Sequence, residues 1–190
     1  MTRSVPLALL HATLLAAAAG AADLDCTPLA LPVVRVEPPP SQYAAFCTAN
    51  PGECDLRGAT VIDWTPEAAA LVKRINRAVN GEVRLLSDLE CRGVEELWSY
   101  PSGGYGDCED FALEKRRRLA AAGLPAGAMT MAIVHHRLEF FPHAVLLLET
   151  SEGTLMLDNL AEAIACWDAR PYDYERREAP DGTWLRFRRD

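Results

Sequence analysis

Apolar and polar positions change their period midway along the chain, and that change predicts the architecture. Between the Thr65 cap and the Asn80-Gly81 pair, Leu71, Val72, Ile75 and Val79 recur at helical spacing, with Pro66 at the first helical position, so an amphipathic helix is expected. Residues 94–100 read as a shorter helix halted by Pro101. The glycine-rich loop Ser102-Gly103-Gly104-Tyr105-Gly106 follows, and a second long helix is expected from near Cys108 to the Gly123-Leu124-Pro125 stop. After residue 127 the apolar runs shorten to strand length, at 128–134, 143–150, 154–158 and 184–188. A spacer as short as Ser151-Glu152-Gly153 permits a hairpin but no parallel crossover. Helices first and antiparallel strands second predict one α+β domain, with N-terminal helices packed on an antiparallel sheet.

The N-terminal 40 residues differ from the rest. Arg3, a largely apolar run from Val5 to Ala19 and the small residues Gly20-Ala21-Ala22 before Asp23 have the order of a secretory signal peptide, over residues 1–22. The run, about 15 residues long, falls short of the roughly 20 that a membrane-spanning helix needs. Acidic Asp23 and Asp25 around Leu24 disfavour lipid attachment at Cys26. Residues 23–40 carry Pro28, Pro32 and Pro38-Pro39-Pro40 and are expected to form an extended lead-in, the folded domain covering 41–190.

The chain has 190 residues, 49% hydrophobic and 24% charged, ordinary for a globular domain. Its net charge of −8 offers no basic field for a phosphate backbone, which argues against a nucleic-acid partner. Export places its six cysteines in an oxidising compartment. Cys47 and Cys54, around a Pro51-Gly52 turn, are expected to pair. Cys91 and Cys166 offer a second pair with Cys26 left over, but spacing does not choose the connectivity.

Cys108 follows the glycine-rich loop and opens a helix, where free backbone N–H groups favour a thiolate and can receive an oxyanion. His143 opens one strand and Asp158 closes the next. Folding them about the 150–153 turn places the two within about a residue of direct opposition, an imidazole beside a carboxylate. Cys108, His143 and Asp158 thereby have the order nucleophile, base and orienting acid. The same three could ligate zinc, but the short-spaced Cys or His pairs of zinc sites are missing. His135 and His136 are assigned to a loop, the run Lys115 to Arg118 to a solvated helix face, and Trp98 to the core before the substrate groove. Asp107, Glu109 and Asp110 would push the thiol upward unless a cation compensated them. Their clustered oxygens suit Ca²⁺.

The motif Gly106-Asp107-Cys108-Glu109-Asp110, with His143-Ala144-Val145 and Leu157-Asp158-Asn159-Leu160, resembles the bacterial transglutaminase-like cysteine peptidases, the LapG-like family. The resemblance extends from Phe46 through Pro51, Trp98-Ser99-Tyr100-Pro101 and Trp167-Asp168 to the C-terminus. It implies a papain-like fold in its transglutaminase-like variant, a Cys108-His143-Asp158 triad, and calcium held by Asp107 and Glu109, with Asp110 matching the motif. It also implies a periplasmic protease that cuts a surface protein and is held by an inner-membrane regulator. Two other activities share the motif: amidase or transglutaminase action on glutamine side chains, and calcium-dependent binding without catalysis.

Overall fold

The computed structural model describes residues 24–188, so the expected signal peptide lies outside the described residues. In chain order the elements are β1 (Val33–Glu37), α1 (Ser41–Ala49), α2 (Pro66–Glu82), β2 (Arg84–Leu85), α3 (Asp88–Arg92), β3 (Tyr105–Gly106), α4 (Cys108–Ala121), β4 (Met129–His136), β5 (Pro142–Thr150), β6 (Gly153–Leu157), β7 (Ala165–Cys166), β8 (Tyr172–Glu178) and β9 (Trp184–Phe187). Seven strands form one antiparallel sheet in the order β1-β9-β8-β4-β5-β6-β7, while β2 and β3 make a separate parallel pair.

Two long helices stand where the periodicity places them. Thr65 Oγ1 accepts the Ala68 N–H at 3.2 Å and caps α2, whose buried stripe is Ala69, Val72, Asn76 and Val79. Helix α4 is buried on almost every side from Glu109 to Arg116, because it lies against both α2 and β5. Alternate residues of the central strands enter two different cores. Met129, Met131, Leu146, Leu148, Leu155 and Leu157 pack with the helices, and Ala132, Val134, Val145, Leu147 and Met156 form the other with Tyr172, Tyr174 and Phe187. A sheet covered on both faces accounts for the unbroken apolar run in β5.

The second face is closed by the segment expected to be an extended lead-in outside the folded domain. Leu29 and Leu31 pack on that core, Thr154 N–H donates to Thr27 O, and Cys26 is disulfide-bonded to Cys166. Just beyond, β1 pairs with β9, so the fold begins well before residue 41. The prolines flank this strand and leave Val33–Glu37 free to hydrogen-bond. Cys47 pairs with Cys54 as expected, whereas Cys166 bonds Cys26 and leaves Cys91 as a free thiol.

Residues 94–100 are not helical. The helix lies upstream, at α3, where Ser87 and Glu90 form a capping box and Gly93 ends it in a left-handed conformation. The expected helix loses its backbone donors to acids, since Leu97 N–H donates to Asp88 and Ser99 N–H to Asp110 Oδ1 at 3.0 Å. Strand β8 escapes the sequence pattern because Arg176 and Arg177 break its apolar run. They are neutralised across the sheet, Arg176 by Glu37 at 3.2 Å and Arg177 by Glu149 at 2.8 Å.

The basic run on α4 is divided rather than solvated. Arg117 and Arg118 pair with Glu114 near the surface, but Lys115 and Arg116 are 1% and 2% exposed. Arg116 Nη1 meets Glu178 Oε2 at 2.7 Å in the interior, and Tyr43 bonds both residues. His135 and His136 end β4 instead of lying in a loop, His135 Nε2 being 2.7 Å from Glu175 Oε2. Trp98 is a core aromatic, edge-on to Tyr43 at 5.0 Å.

Candidate active site

Cys108 begins α4, and the residue before that helix's cap is a glycine for a steric reason. A Cβ at position 106 would stand 2.8 Å from the Asp110 Cβ, so only glycine lets β3 run this close to α4. The Ala144 backbone N–H favours the Cys108 thiolate, which sets the thiol near the residue next to His143. On its other side Cys108 Sγ lies 3.2 Å from Glu109 Oε2. Burial, and then the Glu109 carboxylate, push the thiol well above its ordinary range.

His143 Nε2 is 2.9 Å from Asp158 Oδ1, and both residues are buried, at 4% and 2% exposure. The pair is diagonal rather than opposed. Leu146 faces Leu157 in the β5–β6 register, so Asp158 stands opposite Val145, two positions beyond His143, still within reach of an imidazole. Asp158 accepts two further hydrogen bonds, from Leu160 N–H to Oδ1 at 2.9 Å and from the Tyr172 hydroxyl to Oδ2 at 2.7 Å. Burial opposes its ionisation, but His143 above all, with Tyr172 and Leu160, outweighs burial and holds the carboxyl down at about 2. Helix α2 steadies the loop behind it, Asn80 Nδ2 donating to Asp158 O at 3.0 Å and Asn76 Nδ2 to Glu162 O at 2.9 Å.

A carboxylate cluster adjoins the thiol, and its membership differs from the expected one. Asp88, Asp107 and Glu109 each offer an oxygen, all within 4.8 Å of one another. Among the described residues, buried Asp107 Oδ1 and Glu109 Oε1 have no hydrogen-bond partner, which fits a cation-binding set of hard oxygens. Burial and the Asp107 charge push Glu109 up to about 9. Asp110 faces elsewhere: it accepts from Ser99 N–H and Ser99 Oγ, and Arg92 Nη2 lies 3.5 Å from its Oδ2. Asp88 is the member that sequence reasoning missed. Its signal was the Ser87–Glu90 capping box, which starts α3 at Asp88 and lets the Asp88 N–H donate to Asp107 Oδ2 at 3.2 Å.

Helices against a two-faced antiparallel sheet, with a cysteine heading the central helix, define the transglutaminase-like class of cysteine enzymes. The family model described as bacterial transglutaminase-like cysteine proteinase (BTLCP) matches residues 33–190, and the chain belongs to that family; it is a cysteine peptidase. Among solved structures, Legionella pneumophila LapG is 27% identical over 65% of this chain and 71% of its own, with a TM-score of 0.55. An EGTA-treated form of that protein gives 27% identity over 65% and 69%, with a TM-score of 0.55. A calcium-bound form shares the fold at 22% identity, over 77% and 81%, with a TM-score of 0.56. No curated protein matches the chain significantly. No described helix is long and apolar enough to cross a membrane.

Proposed function

We propose that the protein is an exported, calcium-dependent cysteine endopeptidase in which Cys108 attacks a peptide carbonyl, His143 moves the proton and Asp158 orients His143. The observation that carries this reading is the 2.9 Å His143–Asp158 pair, supported by the favourable action of the neighbouring Ala144 N–H on the Cys108 thiolate. With Nε2 committed to Asp158, His143 Nδ1 is the nitrogen left to take the thiol proton. The Cys108 backbone N–H, in the unpaired first turn of α4, would receive the oxyanion. As the C–N bond breaks, His143 returns the proton to the leaving amine, and water that His143 then deprotonates hydrolyses the acyl-enzyme and restores the thiol.

Calcium would be held by Asp88, Asp107 and Glu109, where it supplies positive charge against carboxylates that otherwise oppose a thiolate. That LapG is known in calcium-bound and EGTA-treated forms supports this ion. Two disulfides support an oxidising compartment, and with the leader-like N-terminus they favour the periplasm. The partners are a protein substrate and, on the family resemblance, an inner-membrane regulator.

The test is to incubate exported proteins with the enzyme and with Cys108→Ala and sequence the N-termini that appear. New N-termini formed only by the parent, and only with calcium, are expected. Deamidated or cross-linked glutamines without new N-termini would replace hydrolysis of the chain by amidase or transglutaminase action.

A further inference from the structure

Asp158 is bound by a residue from a distant strand. In the sheet β8 is separated from β6 by β4 and β5, yet Tyr172, at the start of β8, reaches past the head of β5 to Asp158 Oδ2 at 2.7 Å. Burial, and then the Asp158 charge, push its phenol upward, so the hydroxyl keeps its proton and donates. The Tyr172 ring also lies 5.7 Å from the His143 ring, tilted by 44°. Phe141 closes another side of His143, edge-on at 6.0 Å, and His136 stacks on Phe141 at 5.1 Å while meeting Tyr172 edge-on at 5.4 Å.

A carboxylate bonded through one oxygen can still swing about its last torsion and carry the imidazole with it. Donors on both oxygens remove that freedom. Here Oδ1 takes His143 Nε2 and Leu160 N–H, and Oδ2 takes Tyr172. We infer that Tyr172 is a positioning residue of the peptidase reaction, acting through Asp158 to fix the plane and tautomer of His143. The inference rests on the proposed triad, and it extends that triad by a hydroxyl bonded to Asp158.

The experiment measures Cys108 alkylation by iodoacetamide at neutral pH in calcium-containing buffer, resolved by peptide mass spectrometry, for the parent, Tyr172→Phe, Asp158→Ala and the double variant. Phenylalanine keeps the ring and removes only the hydroxyl. Tyr172→Phe is expected to slow alkylation by about three- to tenfold, the scale of one ordinary hydrogen bond felt through Asp158. In the Asp158→Ala background the same change is expected to matter by less than about twofold, since its route is gone. Equal slowing in both backgrounds would assign Tyr172 a merely structural role, and no slowing in the parent would also overturn the inference while leaving the triad intact. If Asp158→Ala alone left alkylation unchanged, the triad would fall, and this inference with it. Should Asp158→Ala not fold, exchange of the His143 Nε2–H proton by NMR decides: faster exchange in Tyr172→Phe is expected, and an unchanged proton overturns the inference.

Discussion

Glu109 follows Cys108 in the chain and confronts it in space, its Oε2 accepting the thiol hydrogen at 3.2 Å. A carboxylate in that position favours S–H over S⁻, the opposite of what a nucleophile needs. Burial and the adjoining acids together hold the thiol up when no cation is bound, so the compensating cation is a large influence on it. Removing calcium with a chelator is therefore expected to slow Cys108 alkylation by at least about tenfold, and returning calcium to restore it. Equal rates in the two buffers would separate the carboxylate cluster from the chemistry.

The acids around Cys108 divide into two groups that calorimetry can tell apart. Asp107→Asn is expected to weaken calcium binding by titration calorimetry while leaving the melting temperature in chelator nearly unchanged, because Asp107 Oδ1 has no hydrogen-bond partner among the described residues. Asp110→Ala takes the acceptor from the half-buried Ser99 N–H and one of the partners from Arg92, and is expected to cost about 1–3 kcal/mol with or without calcium. A shared pattern in the two variants would contradict the division.

Lys115 is buried beneath the site, and burial drives its ammonium down to about 7 against the opposing pull of Asp158. An unfolded lysine titrates near 10.4, so between about pH 7 and 10 the unfolded chain binds more protons, and stability rises with pH. Lys115→Met is expected to raise stability near pH 7 by about 1 kcal/mol or more and to flatten that alkaline rise, as read by urea unfolding across pH.

The Arg116–Glu178 pair is closed to solvent on both sides and shares Tyr43. Arg116→Met strands the Glu178 charge and is expected to cost about 3–5 kcal/mol. Adding Glu178→Gln should recover a large part of that loss, since no unpaired charge then remains inside. Additive losses in denaturant titrations would mean the two residues do not act as a unit.

How much of this was visible in the residues follows from sequence distance. Cys108 at a helix head and a hairpin bringing His143 to Asp158 are local features, one a turn chemistry and the other a count from a tight turn; Cys108 does head α4, and the hairpin pair meets two positions off opposition instead of within about one. Asp88 and Tyr172 reach the site only through packing. Asp88 is brought by the capping of α3 against Asp107, and Tyr172 by a strand whose charged residues conceal its period. The proline-rich segment misleads for a related reason: proline statistics describe a chain in solvent, whereas here Leu29 and Leu31 have a sheet face to cover. Lys115 and Arg116 look solvated for want of any local sign that α4 is enclosed.

The Cys26–Cys166 bond turns most of the chain into a covalent ring that contains Cys108, His143 and Asp158 and excludes Tyr172. A single cut within that ring, by a foreign protease or by the enzyme itself, opens a loop and releases no fragment. The clipped molecule keeps its mass but for one added water, and electrophoresis after reduction is what separates its pieces.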